Sequence, residues 1–340
     1  MTKVLVTGYG GFLGAEVSRQ LLESGYEVRG LARGGYPELE ALGVECMQGD
    51  IVDPNVAEAA VGGCQAVVHT AAKAGVWGVY EEYYAINTRA AVQLFKTAGD
   101  AGVQAFVQTS SPSVTFDGQH QSGVDESVPY PTKWLCHYPN TKAEAEKRIL
   151  EASQEERLYA CALRPHLIWG YEDPHLFPRV VERTLSGRLR RVGSGTNLID
   201  VVHVTNAARA HVSAVERLLD RDTRLNGNAL FITDGQPVEC WAWISKILEA
   251  ADVEVPSKSI SFKAAYGIGA CLEVAYRLTG KTAEPPMTRF VAAQLALDHY
   301  FDISRARNLL DYQPDIDTDA ELEKCHPWLQ ALAAGHSKRN

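Results

Sequence analysis

The sequence contains no C-x-x-C pair, no H-E-x-x-H motif and no other histidine or cysteine pattern with metal-ligand spacing. Metal catalysis therefore has no support and no metal site is expected. The seven cysteines are scattered at positions 46, 64, 136, 161, 240, 271 and 325. An odd, unpatterned set argues against a disulfide framework and for reduced thiols in a cytoplasmic protein. No apolar run approaches the length of a membrane span. Met1 leads directly into an apolar run, so a signal peptide is not expected either. Low-complexity linkers and internal repeats are absent. Positive charge is not in surplus: a net charge of −9 argues against a nucleic-acid-binding surface. The local cluster Arg188-Leu189-Arg190-Arg191 reads as a solvated helix end. What is present is an ordinary globular composition in 340 residues, enough for one large domain or two intimate ones.

The most informative segment is Lys3-Val4-Leu5-Val6-Thr7-Gly8-Tyr9-Gly10-Gly11-Phe12-Leu13-Gly14. Val4 to Val6 suits a buried parallel strand, and Ala15 to Leu22 reads as the helix that follows the turn. Glycines 8, 11 and 14 allow a tight turn, close approach of a pyrophosphate and close helix–strand packing. The helix N-terminus then offers free N–H groups and its positive dipole end to phosphates. The pattern points to a nucleotide site.

Further apolar strands are expected at Glu27–Leu31, Val44–Met47, Ala66–His69, Ala105–Thr109 and Leu158–Leu163, with helical patterns between them such as Tyr83–Ala101 and Thr141–Ala152. This alternation predicts an α/β fold, a doubly wound parallel sheet whose ligands bind beyond the strands' carboxyl ends. The reading assigns residues 1–168 to the nucleotide-binding domain, with segments of about 197–234 returning to its sheet around Leu198–Val204 and Ala229–Thr233. Residues 169–196 and 235–340 form a smaller interleaved substrate lobe. Within it, Ala264, Ile268, Cys271, Leu272, Ala275 and Leu278 share one helical face, with Tyr266, Glu273 and Arg277 opposite and Glu273–Arg277 as an i,i+4 pair. That spacing predicts a helix packed on the lobe; contact with an oily substrate, a partner enzyme or a membrane surface is the alternative.

Chemistry enters with Tyr138-Pro139-Asn140-Thr141-Lys142, which puts a phenol and an ammonium on one helical face. An adjacent ammonium favours the phenolate and is expected to lower the tyrosine pKa, as is the positive charge of an oxidised nicotinamide. Ser110 and Ser111, at the carboxyl end of the fifth strand, could hydrogen-bond a substrate carbonyl where charge develops. His137 and His203 read as structural. Trp77, Trp134 and Trp169 fall near the expected cleft and point to an apolar pocket, although each alone reads as packing.

These pieces together resemble the extended short-chain dehydrogenase/reductases, from Met1 to about Tyr312. The matching motifs are Thr7-Gly8-x-x-Gly11-x-x-Gly14, Gly49-Asp50, His69-Thr70-Ala71-Ala72, Ser110-Ser111, Tyr138-x-x-x-Lys142 and Leu163-Arg164-Pro165. The resemblance implies that Ser111 binds the reacting oxygen and Tyr138 exchanges its proton, while Lys142 tunes the tyrosine and holds the nicotinamide ribose. It also implies cofactor contacts from Gly8, Gly11, Phe12, Leu13 and Gly14, adenine contact from Asp50 with Ile51 beside it, and a cofactor path lined by Ala71 and Ala72. Asn87 matches an asparagine usually followed by Gly-Thr two residues on. Arg89-Ala90 stand there instead, so no special role is expected for it. A homodimer through the helices holding Asn87 and Tyr138 is implied as well. Within the superfamily the likeness is to the 3β-hydroxysteroid dehydrogenase branch, and there to the bacterial 2-alkyl-3-oxoalkanoate reductases of long-chain olefin biosynthesis. Segments such as Lys73–Gly78, Arg164–Gly170 and Glu284–Phe290 carry that likeness into the variable lobe.

The second strand ends in Leu31-Ala32-Arg33-Gly34-Gly35, with no acid to bind a ribose 2′-hydroxyl, and Arg33 suits a 2′-phosphate. NADP(H) is the expected cofactor, and reduction the expected direction. The expected reaction is NADPH-dependent reduction of a 3-keto group on a hydrophobic substrate, a 2-alkyl-3-oxoalkanoic acid, as part of lipid metabolism. Such an acid needs a carboxylate partner, for which Lys73 and His166 are the candidates. A 3β-hydroxysteroid or sterol dehydrogenase, decarboxylating or not, is the alternative. A non-catalytic NADP-binding sensor or scaffold is the alternative of another class, disfavoured because both Tyr138 and Lys142 are present. Sugar dehydratases of the superfamily carry Asp-Glu where this chain has Pro112-Ser113, which argues against dehydration.

Overall fold

The computed structural model describes residues 2–155 and 157–337. Its central sheet contains β1 (Lys3–Thr7), β2 (Glu27–Ala32), β3 (Glu45–Gln48), β4 (Ala66–His69), β5 (Ala105–Thr109), β6 (Tyr159–Pro165) and β7 (Asn228–Ile232). Their order is β7-β6-β5-β4-β1-β2-β3 and every pairing is parallel. The helices used below are α1 (Phe12–Glu23), α2 (Pro54–Val61), α3 (Ala91–Asp100), α4 (His137–Glu155), α5 (Leu176–Leu185), α6 (Val204–Leu219), α7 (Cys240–Ala250), α8 (Phe262–Leu278), α9 (Arg289–Ala296) and α10 (Thr318–Ser337).

The strands read as unbroken apolar runs because both sheet faces are covered. Val4, Val6, Val68 and Leu163 enter one core, with residues of α1 and α6. Leu5, Val67, Phe106 and Ala160 alternate into the opposite core, with residues of α2, α3 and α4. Strand order reverses between β1 and β4, and the carboxyl ends of these two strands open the crevice where such sheets bind ligands. The fold is a Rossmann-type doubly wound α/β fold.

A further apolar core lies beyond the sheet. Trp169, Phe177, Trp243 and Ile247 build it, with Leu329 from α10. Only part of the expected return to the sheet occurs. β7 does return, but Leu198–Ile199 joins a small sheet with Val238–Glu239, His299–Phe301 and Gln121–Val124. Val202–His203 pairs with Ile168–Trp169 instead. The reason is Asp200, which splits the apolar run and accepts the Phe301 N–H at 2.8 Å.

Helix α8 forms where expected, with its faces reversed. Ala265, Gly269 and Glu273 are the buried positions, while Ile268, Val274 and Leu278 are exposed, Leu278 to 83%. Two contacts dictate this. Glu273 accepts the Arg289 backbone N–H at 2.7 Å and pairs with the Arg289 guanidinium at 2.7 Å, leaving Arg277 at 3.8 Å. At Gly269, an added Cβ would fall 2.6 Å from the Thr288 carbonyl carbon, so only glycine permits this approach. All seven cysteines are free, and among the described residues no helix is long and apolar enough to cross a membrane.

Candidate active site

The glycine turn is built to hold a ligand against bare backbone. Gly8 adopts φ +71°, a left-handed conformation costly for other residues. A Cβ on Gly14 would lie 2.2 Å from the Gly8 carbonyl oxygen. Gly11 caps α1 with no side-chain hydrogen bond, so the first N–H groups of the helix have no side-chain partner. This turn, the ends of β2 and β4 and the start of α4 surround one cavity of about 1260 Å³. All the cofactor contacts expected from the sequence line it, and so does Ser111. Arg33, an exposed residue, lines this cavity, with no carboxylate among the residues flanking it at the end of β2. The glycine cradle and the uncapped helix end fit a dinucleotide. Among the described residues no cluster of three or more His, Cys, Asp or Glu could hold a metal ion.

Tyr138 and Lys142 stand one turn apart in α4, and Ser111 opens a 3₁₀ turn (Pro112–Thr115) directly after β5. The Ser111 hydroxyl caps that turn through the Ser113 N–H at 3.3 Å and shares a 2.9 Å bond with the Ser113 hydroxyl. Burial pushes the Tyr138 phenol up to about 12, against the pull of a hydrogen bond with Ser111. The lysine was expected to lower this value, but burial dominates. Lys142 is itself pulled down to about 8 by burial, opposed by Glu146, and its ammonium donates to the Thr109 carbonyl at 2.5 Å. Glu146 follows one turn later in α4, fully buried. Burial pushes its carboxyl up, but Arg164 at 2.5 Å and the Tyr130 hydroxyl at 2.6 Å hold the net shift downward. The helix therefore presents a phenol, an ammonium and a neutralised carboxylate in succession.

Asn87 has a role that the sequence did not reveal. It is buried in a π-helical turn (Tyr84–Ala90), accepts the Lys73 N–H at 2.7 Å and donates to the Lys73 carbonyl at 3.0 Å and to Thr141 Oγ1 at 3.2 Å. It thus clamps the loop after β4 to α4, beside the catalytic candidates; the missing Gly-Thr had hidden it. Neither proposed carboxylate partner is free. Lys73 pairs with Glu82 at 2.7 Å, and buried His166 lies 2.7 Å from His299. His203 is structural, accepting the Thr205 N–H as the cap of α6.

The apolar part of the cavity is walled by Leu176, Val180, Leu189, Ile244, Ile247 and Trp243. Trp243 is the pocket tryptophan. Trp169 lies in the lobe core, and the indole N–H groups of Trp134 and Trp77 go to the Val114 and Lys281 carbonyls. Arg179 and Arg183 of α5 also line this end. Sequence reading passed over them because their partner, Glu284, lies about a hundred positions away.

A family model described as the 3-beta hydroxysteroid dehydrogenase/isomerase family matches residues 5–264. The chain is 42% identical over 330 residues to a 2-alkyl-3-oxoalkanoate reductase of Shewanella oneidensis, covering 95% of this chain and 85% of the relative. It is 34% identical over 343 residues to a 3 beta-hydroxysteroid dehydrogenase/Delta 5-->4-isomerase of Mycobacterium tuberculosis, covering 97% and 91%. Among solved structures it is similar to MoeE5 in complex with UDP-glucuronic acid and NAD. The TM-score is 0.72 and the identity 25%, over 97% of this chain and 99% of that one.

Proposed function

The chain belongs to the 3-beta hydroxysteroid dehydrogenase/isomerase family of NAD(P)-dependent oxidoreductases, and from that premise we propose that it reduces the 3-keto group of a 2-alkyl-3-oxoalkanoic acid with NADPH. The carrying observation is that Ser111, Tyr138, Lys142 and the glycine cradle share one cavity with a long apolar wall. The nicotinamide, when bound, supplies the hydride. Ser111 donates a hydrogen bond to the ketone oxygen as negative charge develops there. Tyr138 holds the proton that this oxygen receives, and its raised pKa keeps the phenol protonated until then. Lys142, already pointed at the Thr109 carbonyl, is positioned to hold the cofactor ribose and to sustain the tyrosine after proton loss. Leu176, Trp243 and Ile247 give an alkyl chain an apolar surface to bury.

Arg33 supports NADP(H) over NAD(H), since it lines the cavity at the end of β2 with no ribose-binding acid beside it. The 3β-hydroxysteroid reading stands second, favoured by the 34% identical relative over nearly the whole chain. It shares the mechanism and differs only in what fills the apolar end. A homodimer through the helices holding Asn87 and Tyr138 belongs to the same proposal, and sedimentation of the purified chain tests it.

The reaction is tested in the oxidative direction, because β-keto acids lose CO₂ spontaneously. A 2-alkyl-3-hydroxyalkanoic acid and a 3β-hydroxysteroid are each offered with NADP⁺ and with NAD⁺. Turnover of the acid with a preference for NADP⁺ is expected. Turnover of the steroid alone would move the protein to the second reading, and cofactor binding with no turnover of either would revive a non-catalytic role.

A further inference from the structure

The apolar stripe of α8 meets solvent along most of its length. Ala264, Ile268, Cys271, Ala275 and Leu278 recur at helical spacing on one face, and all five are exposed. Val274 widens the stripe, at 54% exposure against 48% for Ile268 and 83% for Leu278. The helix has 17 residues and is about 25 Å long, so these side chains form a continuous ridge. The other side of α8 is already occupied. Ala265 packs with Val192 and with Ala292 of α9. Beyond that contact, α9 lines the cavity through Phe290, Val291, Gln294 and Leu295. One helix therefore separates the ridge from the cavity.

Cations stand at both ends of this ridge. Arg191–Val192 pairs in parallel with Ser259–Ile260, directly ahead of α8. The Arg191 N–H donates to the Lys258 carbonyl at 3.1 Å and the Gly193 N–H to the Ile260 carbonyl at 2.9 Å. This pairing brings Arg188, Arg190 and Arg191 beside Lys258 and Lys263, near the start of the helix. Arg277 and Lys281 lie at its other end, and of these seven cations all but Arg191 are exposed. Among the described residues no ion pair engages Arg188, Arg190, Arg191, Lys258 or Lys263. Residues 186–193 contain no acid, and residues 256–281 contain only Glu273, which is buried and paired with Arg289. The chain as a whole carries −9. Screening limits the reach of charge to about 8 Å at physiological salt, so an approaching surface meets the local positive face and not the net charge.

We propose that this face seats the protein on an anionic phospholipid bilayer, with α8 lying in the plane of the interface. Ile268, Cys271, Val274 and Leu278 enter the boundary between headgroups and acyl chains, and the flanking cations meet lipid phosphates. The helix is not long and apolar enough to cross the bilayer, so the contact is peripheral. A protruding ridge needs a partner that closes around it, and a fluid headgroup layer does so without a matching groove. An acidic protein would suit the cations, but it would need a cleft cut to take a side chain as exposed as Leu278. Docked in this way, the cavity lies one helix away from the lipid. The docking itself does not depend on which substrate the cavity takes.

The test is flotation of the full-length protein with two kinds of vesicle, phosphatidylcholine alone and phosphatidylcholine mixed equally with phosphatidylglycerol. Cys271, the exposed one of the seven cysteines, carries an environment-sensitive fluorophore in a parallel sample, with Cys271→Ser as the labelling control. The wild type should bind the anionic vesicles about tenfold or more above the neutral ones and release them at high salt. The Cys271 probe should shift to the blue on the anionic vesicles. Arg190→Gln and Lys263→Gln should each weaken binding by about fivefold, the worth of one cation at such a surface. Ile268→Ser combined with Leu278→Ser should weaken it by about tenfold or more. NADPH affinity should be unchanged in every variant, which checks folding. A wild type that ignores both vesicles, or binds them equally, overturns the proposal. Binding that these variants leave intact, or that leaves the Cys271 probe unshifted, overturns it too. An assembly of the wild type that the Ile268/Leu278 variant disperses, with no vesicle binding, would give the ridge to a protein contact instead.

Discussion

Lys142 stands where its charge is expensive to hold. It is 2% exposed, its ammonium has a single carbonyl partner, and burial pulls its pKa from the usual lysine value to about 8. Between about pH 8 and 10.5 the unfolded chain binds more protons here than the folded one, so the stability contributed by this group rises with pH across that window, and below it the penalty is full and constant. At pH 7 the buried ammonium destabilises the cofactor-free fold. Lys142→Met should therefore melt above the wild type at pH 7, by at least about 1 kcal/mol in stability, with the gap closing as pH approaches 10. Thermal melts at several pH values check this; a variant less stable at pH 7 would mean the Thr109 and Glu146 interactions outweigh desolvation. A lysine kept against its own stability cost is what a functional position looks like. Tyr138, Lys142 and the glycines were legible in the sequence because their chemistry is local: one helical turn or one strand–helix turn contains it. Arg179, Arg183 and Glu284 were not, since nothing near α5 announces a carboxylate from the far side of α8.

Helix α8 shows how a correct element can be assigned the wrong face. Its 3.6-residue period was plain, but apolar residues occur around most of its circumference and Gly269 carries no side chain to weigh. The decisive residue was the polar one. Glu273 is 2% exposed and holds both the backbone N–H and the guanidinium of Arg289 at the start of α9. Removing one member of a buried pair strands the other, typically at a cost of about 3–5 kcal/mol when both are enclosed. Arg289 is itself about a third exposed, so the loss on Glu273→Gln should be smaller, on the order of 1–2 kcal/mol. Gly269→Val should be worse, because the added carbons meet Thr288 backbone that cannot retreat. Denaturant unfolding of both variants measures this. The same result with an unchanged midpoint would mean that α8 does not depend on this face. The π-helical turn at Asn87 was also invisible beforehand, because a single wide turn leaves the surrounding helical period almost intact.

Across the whole molecule, buried histidines make the fold sensitive to acid. Burial holds His299 and His211 down to about 4 and His69 to about 3, and burial with neighbouring His299 holds His166 well below the usual histidine value. Each remains neutral in the fold while its unfolded counterpart takes a proton below about 6.5, so the stability they contribute is lost as pH falls from there toward 4. Asp200 works in the opposite sense. Burial raises its carboxyl to about 7, so the fold binds its proton first and gains stability over the same descent. Asp200→Asn should thus steepen the fall in melting temperature between pH 7 and 4.5, and His299→Gln should flatten it. Identical slopes in both variants and the wild type would show that other groups govern acid unfolding. The parallel sheet followed from alternating apolar runs and helical patterns, whereas the small sheet around Leu198–Ile199 did not. Its strands are two or three residues long in places and come from four distant segments, too short for any period to register.

The account as a whole turns on Tyr138 as the proton donor of a nicotinamide-dependent ketoreductase. The direct measurement is NADP⁺ reduction with a 2-alkyl-3-hydroxyalkanoic acid by wild-type protein and Tyr138→Phe, with NADPH affinity measured for both. The wild type should turn over. The variant should lose about 10²–10⁴ in kcat, the scale of a lost general acid–base group, while binding NADPH within about threefold of the wild type. A folded Tyr138→Phe protein with full turnover would contradict the account.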